Sequence, residues 1–195
     1  MGGLNLQKGG RIDLSKGSSV TKFYVGLGWD AQVISGGQEY DLDVSAFMLD
    51  YNEMCPSNAH VVYYAHLKDA AGSVVHNGDN LTGAGAGDDE AIIVDISKVP
   101  ADIKNVEIFV TIHEAVNRNQ NFGGVRNAYI RVCENDKNGT ELAKFDLEED
   151  YSAFTAVHFG TVYNKDGEWK FKAVGDGFAN DLNGILNEYQ KAPAA

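Results

Sequence analysis

Apolar and polar positions alternate along most of the chain in short runs, which are separated by clusters of Gly, Asn and Asp. Alternation with a period of two is typical of β-strands that bury one face. Many short strands with turn residues between them favour an antiparallel β-sandwich of two sheets. We predict strands at residues 4–6, 11–14, 23–29, 41–49, 60–64, 74–76, 91–96, 107–113, 128–134, 141–146, 156–164 and 168–174.

Two further features complete the predicted architecture. The first two runs flank Lys8-Gly9-Gly10, which predicts an N-terminal hairpin. Near the other end, apolar residues recur at helical spacing and predict a short C-terminal helix that covers one end or face of the sandwich. These residues are Phe178, Leu182, Ile185, Leu186 and Tyr189. We expect one mainly β domain over residues 1–190, followed by a flexible tail at 191–195.

Composition narrows the function classes. The 195 residues carry a net charge of −12, which argues against nucleic acid as a partner, because nucleic-acid binders cluster Lys and Arg. The start of the chain lacks the basic and apolar regions of a secretory signal, and no apolar run approaches the length of a transmembrane helix. We therefore expect a cytoplasmic protein. In that compartment Cys55 and Cys133 are expected to be ordinary thiols, with a single bridge between them as the alternative.

The acidic residues suggest a site for a cation. On an extended strand Asp41 and Asp43 point to the same face, about 6.6 Å apart, where their repulsion is about 2.5 kcal/mol at an effective dielectric constant of about 20. A second acidic stretch follows at residues 78–90. No Lys or Arg lies between Lys22 and Lys68 or between Lys68 and Lys98, so local sequence supplies no counter-ion. Hard oxygen ligands in this number favour Ca²⁺.

We predict a calcium site assembled from separate loops, with enough ligands for two ions; the alternative for Asp41 and Asp43 is a solvated strand face. The candidate ligands are Asp30, Asp41, Asp43, Asp79, Asn80, Asp88, Asp89 and Glu90. The spacing is not that of an EF-hand, because Ala46 and Asn52 stand where that loop needs Gly and Glu. The Gly-rich residues 83–87 lack the Lys of a phosphate loop, and His113-Glu114 lacks the second His of a zinc protease. No catalytic residue and no other cofactor are predicted.

Several phrases of the sequence closely resemble the tellurium-resistance TerD family, in order and over essentially the whole chain. They are residues 24–30 (YVGLGWD), 41–47 (DLDVSAF), 76–83 (HNGDNLTG), 87–90 (GDDE), 111–115 (TIHEA) and 120–123 (QNFG). The resemblance implies a calcium-binding β-sandwich and a non-enzymatic cytoplasmic protein of the bacterial response to tellurite and related stress.

Three hypotheses about function remain open on the sequence. The first, which we favour, is an interaction module whose acidic loops are ordered by calcium so that other proteins of the tellurite-resistance or stress system, some of them membrane-associated, can dock. The second is a metal-dependent hydrolase in which the ion activates water. The third is a calcium-mediated binder of sugars or lipid headgroups, which rests only on analogy between folds.

Overall fold

A computed structural model of the chain describes residues 3–31, 40–78, 87–147 and 150–190. Within these ranges twelve strands form two six-stranded sheets. The strands are β1 (Leu4–Asn5), β2 (Arg11–Asp13), β3 (Lys22–Ala31), β4 (Leu42–Leu49), β5 (Val61–Val62), β6 (Val74–His76), β7 (Glu90–Asp95), β8 (Asn105–Ile112), β9 (Val125–Glu134), β10 (Glu141–Asp146), β11 (Ala156–Lys165) and β12 (Glu168–Phe178). Two short α-helices, α1 (Ala115–Arg118) and α2 (Leu182–Tyr189), complete the fold.

The first sheet has the strand order β1-β10-β9-β3-β7-β6 and the second has the order β2-β12-β11-β8-β4-β5. All neighbouring strands pair antiparallel except β1 and β10, which are parallel. The predicted antiparallel sandwich of two sheets with a C-terminal helix is confirmed. The β11–β12 connection shows why local sequence was informative: Asp166 and Gly167 both have positive φ, at 56° and 87°, as a two-residue type I′ hairpin turn requires.

Strand β4 shows how alternation divides the core. Its inward residues, Leu42, Val44, Ala46 and Met48, lie in the main hydrophobic core between the sheets. Its outward residues Phe47 and Leu49 are also fully buried, because they belong to a second cluster with Ile185 of α2. Burying an apolar side chain of this size contributes about 1.5–3 kcal/mol. The predicted role of the C-terminal helix is therefore confirmed: it covers the outer face of the second sheet.

The predicted N-terminal hairpin is wrong. Strand β1 pairs with β10 in the first sheet, whereas β2 pairs with β12 in the second. The connecting residues cross from one sheet to the other, with Leu6 N donating to Lys144 O at 2.7 Å and Gly9 N donating to Ala173 O at 2.8 Å. A Gly-Gly turn reverses the chain, but it does not decide whether the flanking strands pair with each other or with open sheet edges.

Several other predicted boundaries differ from the structure, and two of them have a clear local cause. The strand predicted at residues 60–64 is only β5, because a 3₁₀ turn at Asn58–His60 precedes it and a tight turn follows, with reciprocal Tyr63–His66 backbone hydrogen bonds of 3.0 and 2.9 Å. Helix α2 starts at Leu182 rather than at Phe178, which ends β12. The Asp181 side chain caps this start by accepting from Gly184 N at 2.7 Å. The predicted tail at 191–195 lies outside the described residues.

Candidate metal centre

One end of the sandwich gathers the acidic residues, and we call it the acidic end. Here β3 ends and β7 begins, since Leu27 pairs with Glu90, and β6 ends, since His76 pairs with Ile92. Strand β4 of the other sheet begins at the same end, opposite the end of β8, with Leu42 paired to Ile112. The segments 32–39 and 79–86, which lie outside the described residues, both join the described chain at this end.

Glu90 ties the two sheets together at the acidic end. Its side chain is fully buried, and its Oε2 accepts a hydrogen bond of 2.6 Å from the backbone N–H of Val44 in the opposite sheet. The ring Nε2 of His76, also fully buried, lies 3.8 Å from the same oxygen. Because Val44 N would otherwise face the interior unpaired, Glu90 has a structural role that its place in an acidic run did not indicate.

Asp88 lies on the outer face of the first sheet, where it forms an ion pair with Arg131 of β9. Arg131 Nε donates to Asp88 Oδ1 at 2.8 Å and Arg131 NH2 donates to Oδ2 at 2.7 Å, a two-pronged geometry, while Tyr129 OH donates to Oδ1 at 3.0 Å. The Asp88 side chain is only 3% exposed. These hydrogen bonds raise the pKa of Arg131, so its guanidinium group stays charged.

Glycines of β3 make room for this ion pair. A Cβ atom at Gly26 would collide with the Asp88 carboxyl group and the Tyr24 ring, and one at Gly28 would lie 2.5 Å from the Tyr129 ring. Both glycines lie on the outer face of β3, where they alternate with the inward residues Val25, Leu27 and Trp29 of the main core. The YVGLGWD phrase therefore encodes a shallow trough in the sheet that receives Asp88 and Tyr129.

Asp89 and Asp30 lie near each other at the end of β3. Asp89 Oδ2 accepts from the backbone N–H of Trp29 at 2.9 Å, and Asp30 Oδ2 accepts from Asn127 Nδ2 at 2.6 Å. Burial raises the pKa of Asp89; the Trp29 N–H opposes this effect, whereas the charges of Asp30 and Asp88 add to it. Repulsion among these carboxylates would be relieved by a bound cation.

Asp41 and Asp43 meet basic side chains that follow β8. The nearest oxygen of Asp41 lies 3.9 Å from Arg118 NH1, and Asp41 O accepts from His113 N at 2.8 Å. Asp43 Oδ2 lies 3.4 Å from His113 Nδ1, and its side chain is only 8% exposed. Asp43 therefore does not lie on a solvated strand face.

The structure groups some predicted ligands and separates others. Asp30 and Asp89 lie close enough for their charges to interact, and Asp41 precedes β4 in the opposite sheet, whereas Asp88, Asp89 and Glu90 diverge towards the outer face, the strand end and the interior. Within residues 3–31, 40–78, 87–147 and 150–190, no three His, Cys, Asp or Glu side chains converge as a metal site. Asp79 and Asn80 lie outside the described residues, so the sixfold or higher oxygen coordination of calcium would need the loop that contains them.

The fold supplies counter-ions that the local sequence lacks. Arg131 lies 43 residues beyond Asp88, and Arg118 lies far along the chain from Asp41. No spacing rule in the sequence connects these residues. The one available signal was the alternation of β9, which places Tyr129, Arg131 and Cys133 on one face.

The remaining sequence candidates have structural roles. His113 follows the end of β8 and Glu114 adopts a left-handed conformation with φ of 51°, so the two do not begin a long helix as a zinc-protease motif would. Cys55 and Cys133 are free and buried against the outer faces of opposite sheets, so the alternative of a bridge between them is wrong. Burial raises the pKa of Cys55 to about 12, and burial also raises the pKa of Cys133.

Among the described residues, no helix is long and apolar enough to cross a membrane.

Several known proteins are similar to this chain over nearly its whole length. General stress protein 16U of Bacillus subtilis is 46% identical over 187 residues, which cover 95% of this chain and 96% of that protein. Tellurium resistance protein TerD of Alcaligenes sp. is 46% identical with the same coverage. A crystal structure from Streptomyces coelicolor, described as a homologue of telluride resistance protein TerD, superposes with a TM-score of 0.72 at 23% identity, covering 90% of this chain and all of the other; it shows the shared fold. The sequence model of the TerD domain matches residues 2–189, and the chain belongs to the TerD domain family.

Proposed function

We propose that this chain is a calcium-binding protein of the bacterial stress response, including resistance to tellurite. Bound calcium orders the loops at the acidic end, and the ordered surface binds other proteins of the same system. The protein acts in the cytoplasm and is not an enzyme. The names of its relatives, a general stress protein and a tellurium resistance protein, support the biological role.

The observation that carries the calcium proposal is the arrangement of the acidic end. The charges of Asp30 and Asp89 interact, and the segments 32–39 and 79–86 join the described chain beside them. One of these segments contains Asp79 and Asn80. We propose Asp30, Asp41, Asp79, Asn80 and Asp89 as the direct ligands, since carboxylate and amide oxygens are the ligands that calcium prefers.

The other three predicted ligands receive a supporting role in this proposal. Asp88 is neutralised by Arg131, Glu90 accepts from Val44 N, and Asp43 lies against His113. Each of these contacts fixes a residue next to a proposed ligand, which is how groups around a metal site orient the ligands themselves. In this proposal Asp41 and Asp89 bind the ion, and Asp43, Asp88 and Glu90 hold the chain around them in place.

Tellurite chemistry at the thiols is not part of the proposal. The thiolate is the reactive form of cysteine, and burial keeps both thiols protonated at neutral pH. A role in resistance through docking, rather than through reaction with the toxic anion, agrees with a structure whose two thiols are shielded.

Isothermal titration calorimetry with calcium tests the proposal. We expect uptake of one or two ions, loss of at least one site in the double variant Asp30→Asn, Asp89→Asn, and unchanged binding in Asp102→Asn, an exposed carboxylate in the turn before β8. Calcium should also stabilise the wild-type fold by about 2.7 kcal/mol at a hundredfold excess over the dissociation constant. Absence of calcium uptake at high micromolar concentration in a folded sample would reject the proposal.

A further inference from the structure

A cleft of about 850 Å³ opens on the outer face of the second sheet, between the start of α2 and the Tyr63–His66 turn. Its floor is buried: Val61, Thr111, Ile112 and Ala115 are each at most 3% exposed. Its volume lies in the range of pockets that hold a small organic molecule and is far larger than one side chain needs. The calcium proposal does not use this cavity as a binding site.

The rim of the cleft is unusually apolar for a surface. Tyr64 is 40% exposed and Val116 is 86% exposed, and both line the opening. Leu182 and Leu186 of α2 form part of the opposite wall. Exposed apolar groups around a concave surface are typical of ligand sites, whereas single exposed residues elsewhere need no explanation.

Asp43, Glu114 and Asp181 line the cleft, and no Lys or Arg is among its lining residues in the part of the chain that the structure describes. Arg118 NH2 lies 3.5 Å from Glu114 Oε2 and His113 Nδ1 lies 3.4 Å from Asp43 Oδ2, so both carboxylates have a basic neighbour. Acidic groups still predominate in the cleft. A second large concavity on the same sheet has the opposite character, since Arg11, Lys165, Lys170 and Lys172 line it. The sign of the cleft is therefore a local property and does not simply reflect the net charge of −12.

Aromatic rings add a second feature that suits a cation. Tyr63 and Tyr64 pack edge to face with ring centroids 5.2 Å apart, and the Tyr64 ring lies 6.2 Å from the His113 ring. The negative face of a tyrosine ring attracts ammonium and guanidinium groups. Carboxylates and tyrosines together distinguish an organic cation from a metal ion, which gains little from an aromatic wall.

We propose that this cleft binds a small organic amine that has an apolar body, with the ammonium group near Glu114 and Tyr64 and the body against α2. The volume favours a whole small molecule over one basic side chain of a partner protein. The proposal is independent of calcium, because Tyr64, Glu114 and α2 lie outside the ligand set proposed above.

Three probes with the same body test it: 4-phenylbutylamine, 4-phenylbutanol and 4-phenylbutyrate, titrated by calorimetry into the full chain in the presence of a chelator. We expect the amine to bind about tenfold more tightly than the alcohol and the carboxylate to bind least tightly. Chemical shift changes on adding the amine should map to Thr111, Thr155 and the Asn180–Leu186 region. Equal binding of amine and alcohol, or shifts confined to another surface, would overturn the proposal.

Matched variants locate the interaction. Tyr64→Ala should weaken amine binding about three- to fivefold, and Glu114→Gln about two- to fivefold while leaving the alcohol unaffected. Two control variants should change neither amine binding nor alcohol binding. They are Tyr163→Ala, at a tyrosine of the same sheet that lines the basic concavity, and Asp102→Asn. Unchanged amine binding in both cleft variants would overturn the assignment. So would a blocked arginine tetrapeptide that competes with the amine and binds more tightly, because the site would then belong to a protein partner.

The same samples separate this proposal from the calcium proposal. Calorimetry with calcium on the Tyr64→Ala and Glu114→Gln variants should give wild-type uptake. Calcium uptake without amine binding rejects only the cleft proposal. Amine binding without calcium uptake rejects only the function proposed above.

Discussion

Replacing Arg131 by Met tests whether the Asp88 ion pair holds the acidic end in place. Met fills a similar length of side chain but removes the charge and the hydrogen bonds to both carboxylate oxygens. Asp88, only 3% exposed, would then keep the hydrogen bond from the Tyr129 hydroxyl group but lose the guanidinium group. Removing one partner of a buried ion pair typically costs 3–5 kcal/mol.

The loss of stability should lie at the lower end of this range for two reasons. The Arg131 side chain is 21% exposed, so part of its charge is already screened, and the Tyr129 hydroxyl group continues to donate to Asp88. We therefore expect the free energy of unfolding to fall by about 3 kcal/mol. Urea denaturation in a chelator, followed by tryptophan fluorescence, measures this loss.

A double-mutant cycle isolates the pair. Asp88→Asn combined with Arg131→Met should lose about 2 kcal/mol less than the sum of the two single losses, because the double variant buries no unpaired charge. Additive losses, or a loss of less than about 0.5 kcal/mol for Arg131→Met, would refute the structural role of the pair. Full recovery of Arg131→Met on adding calcium would also refute it, since it would show that Asp88 is itself a calcium ligand.

Three further predictions concern buried groups. Glu90→Ala should lower the free energy of unfolding by about 1–3 kcal/mol because it leaves Val44 N unpaired, whereas Glu90→Gln, which keeps an acceptor oxygen, should lose less; urea denaturation compares them. Burial lowers the pKa of His158 from 6.5 to about 4, so the unfolded chain binds a proton more readily than the folded protein. The free energy of unfolding should therefore be unaffected by His158 above pH 6.5 and fall by about 3 kcal/mol as the pH falls towards 4. His158→Gln should remove this pH dependence, and His60→Gln should retain it. Cys55 and Cys133 should react with a thiol reagent at neutral pH only after unfolding, and rapid labelling of the native protein would contradict the buried, protonated state.

The alternation of apolar and polar residues predicted most of the strands, because one face of each strand packs against the core. Strands β3, β10 and β11 were predicted within two residues at each end. The failures concern pairing: the Lys8-Gly9-Gly10 turn looked like a hairpin, yet β1 and β2 join different sheets. Which open sheet edge a short strand joins depends on the whole sandwich, and no local pattern contains that information.

Outward positions of the second sheet show the same limit. Alternation placed Asp43 and Ser45 opposite Leu42 and Val44, and this was correct. It left open a solvated face as the alternative to a metal site, yet Asp43 is 6% exposed and Ser45 is fully buried. A face becomes a surface or a second core according to what packs on it. Here the C-terminal helix and the chain around His113 cover it.

The sequence by itself determined that the chain is a β-sandwich with acidic residues concentrated in two stretches, because side-chain period and charge are local properties. Only the tertiary structure decided what those carboxylates contact. Asp88 meets Arg131, Glu90 meets Val44 N, and Asp89 meets Trp29 N across separations that no sequence rule spans. The energy of a charge depends on the groups within a few ångströms of it, and folding alone brings distant groups to that distance.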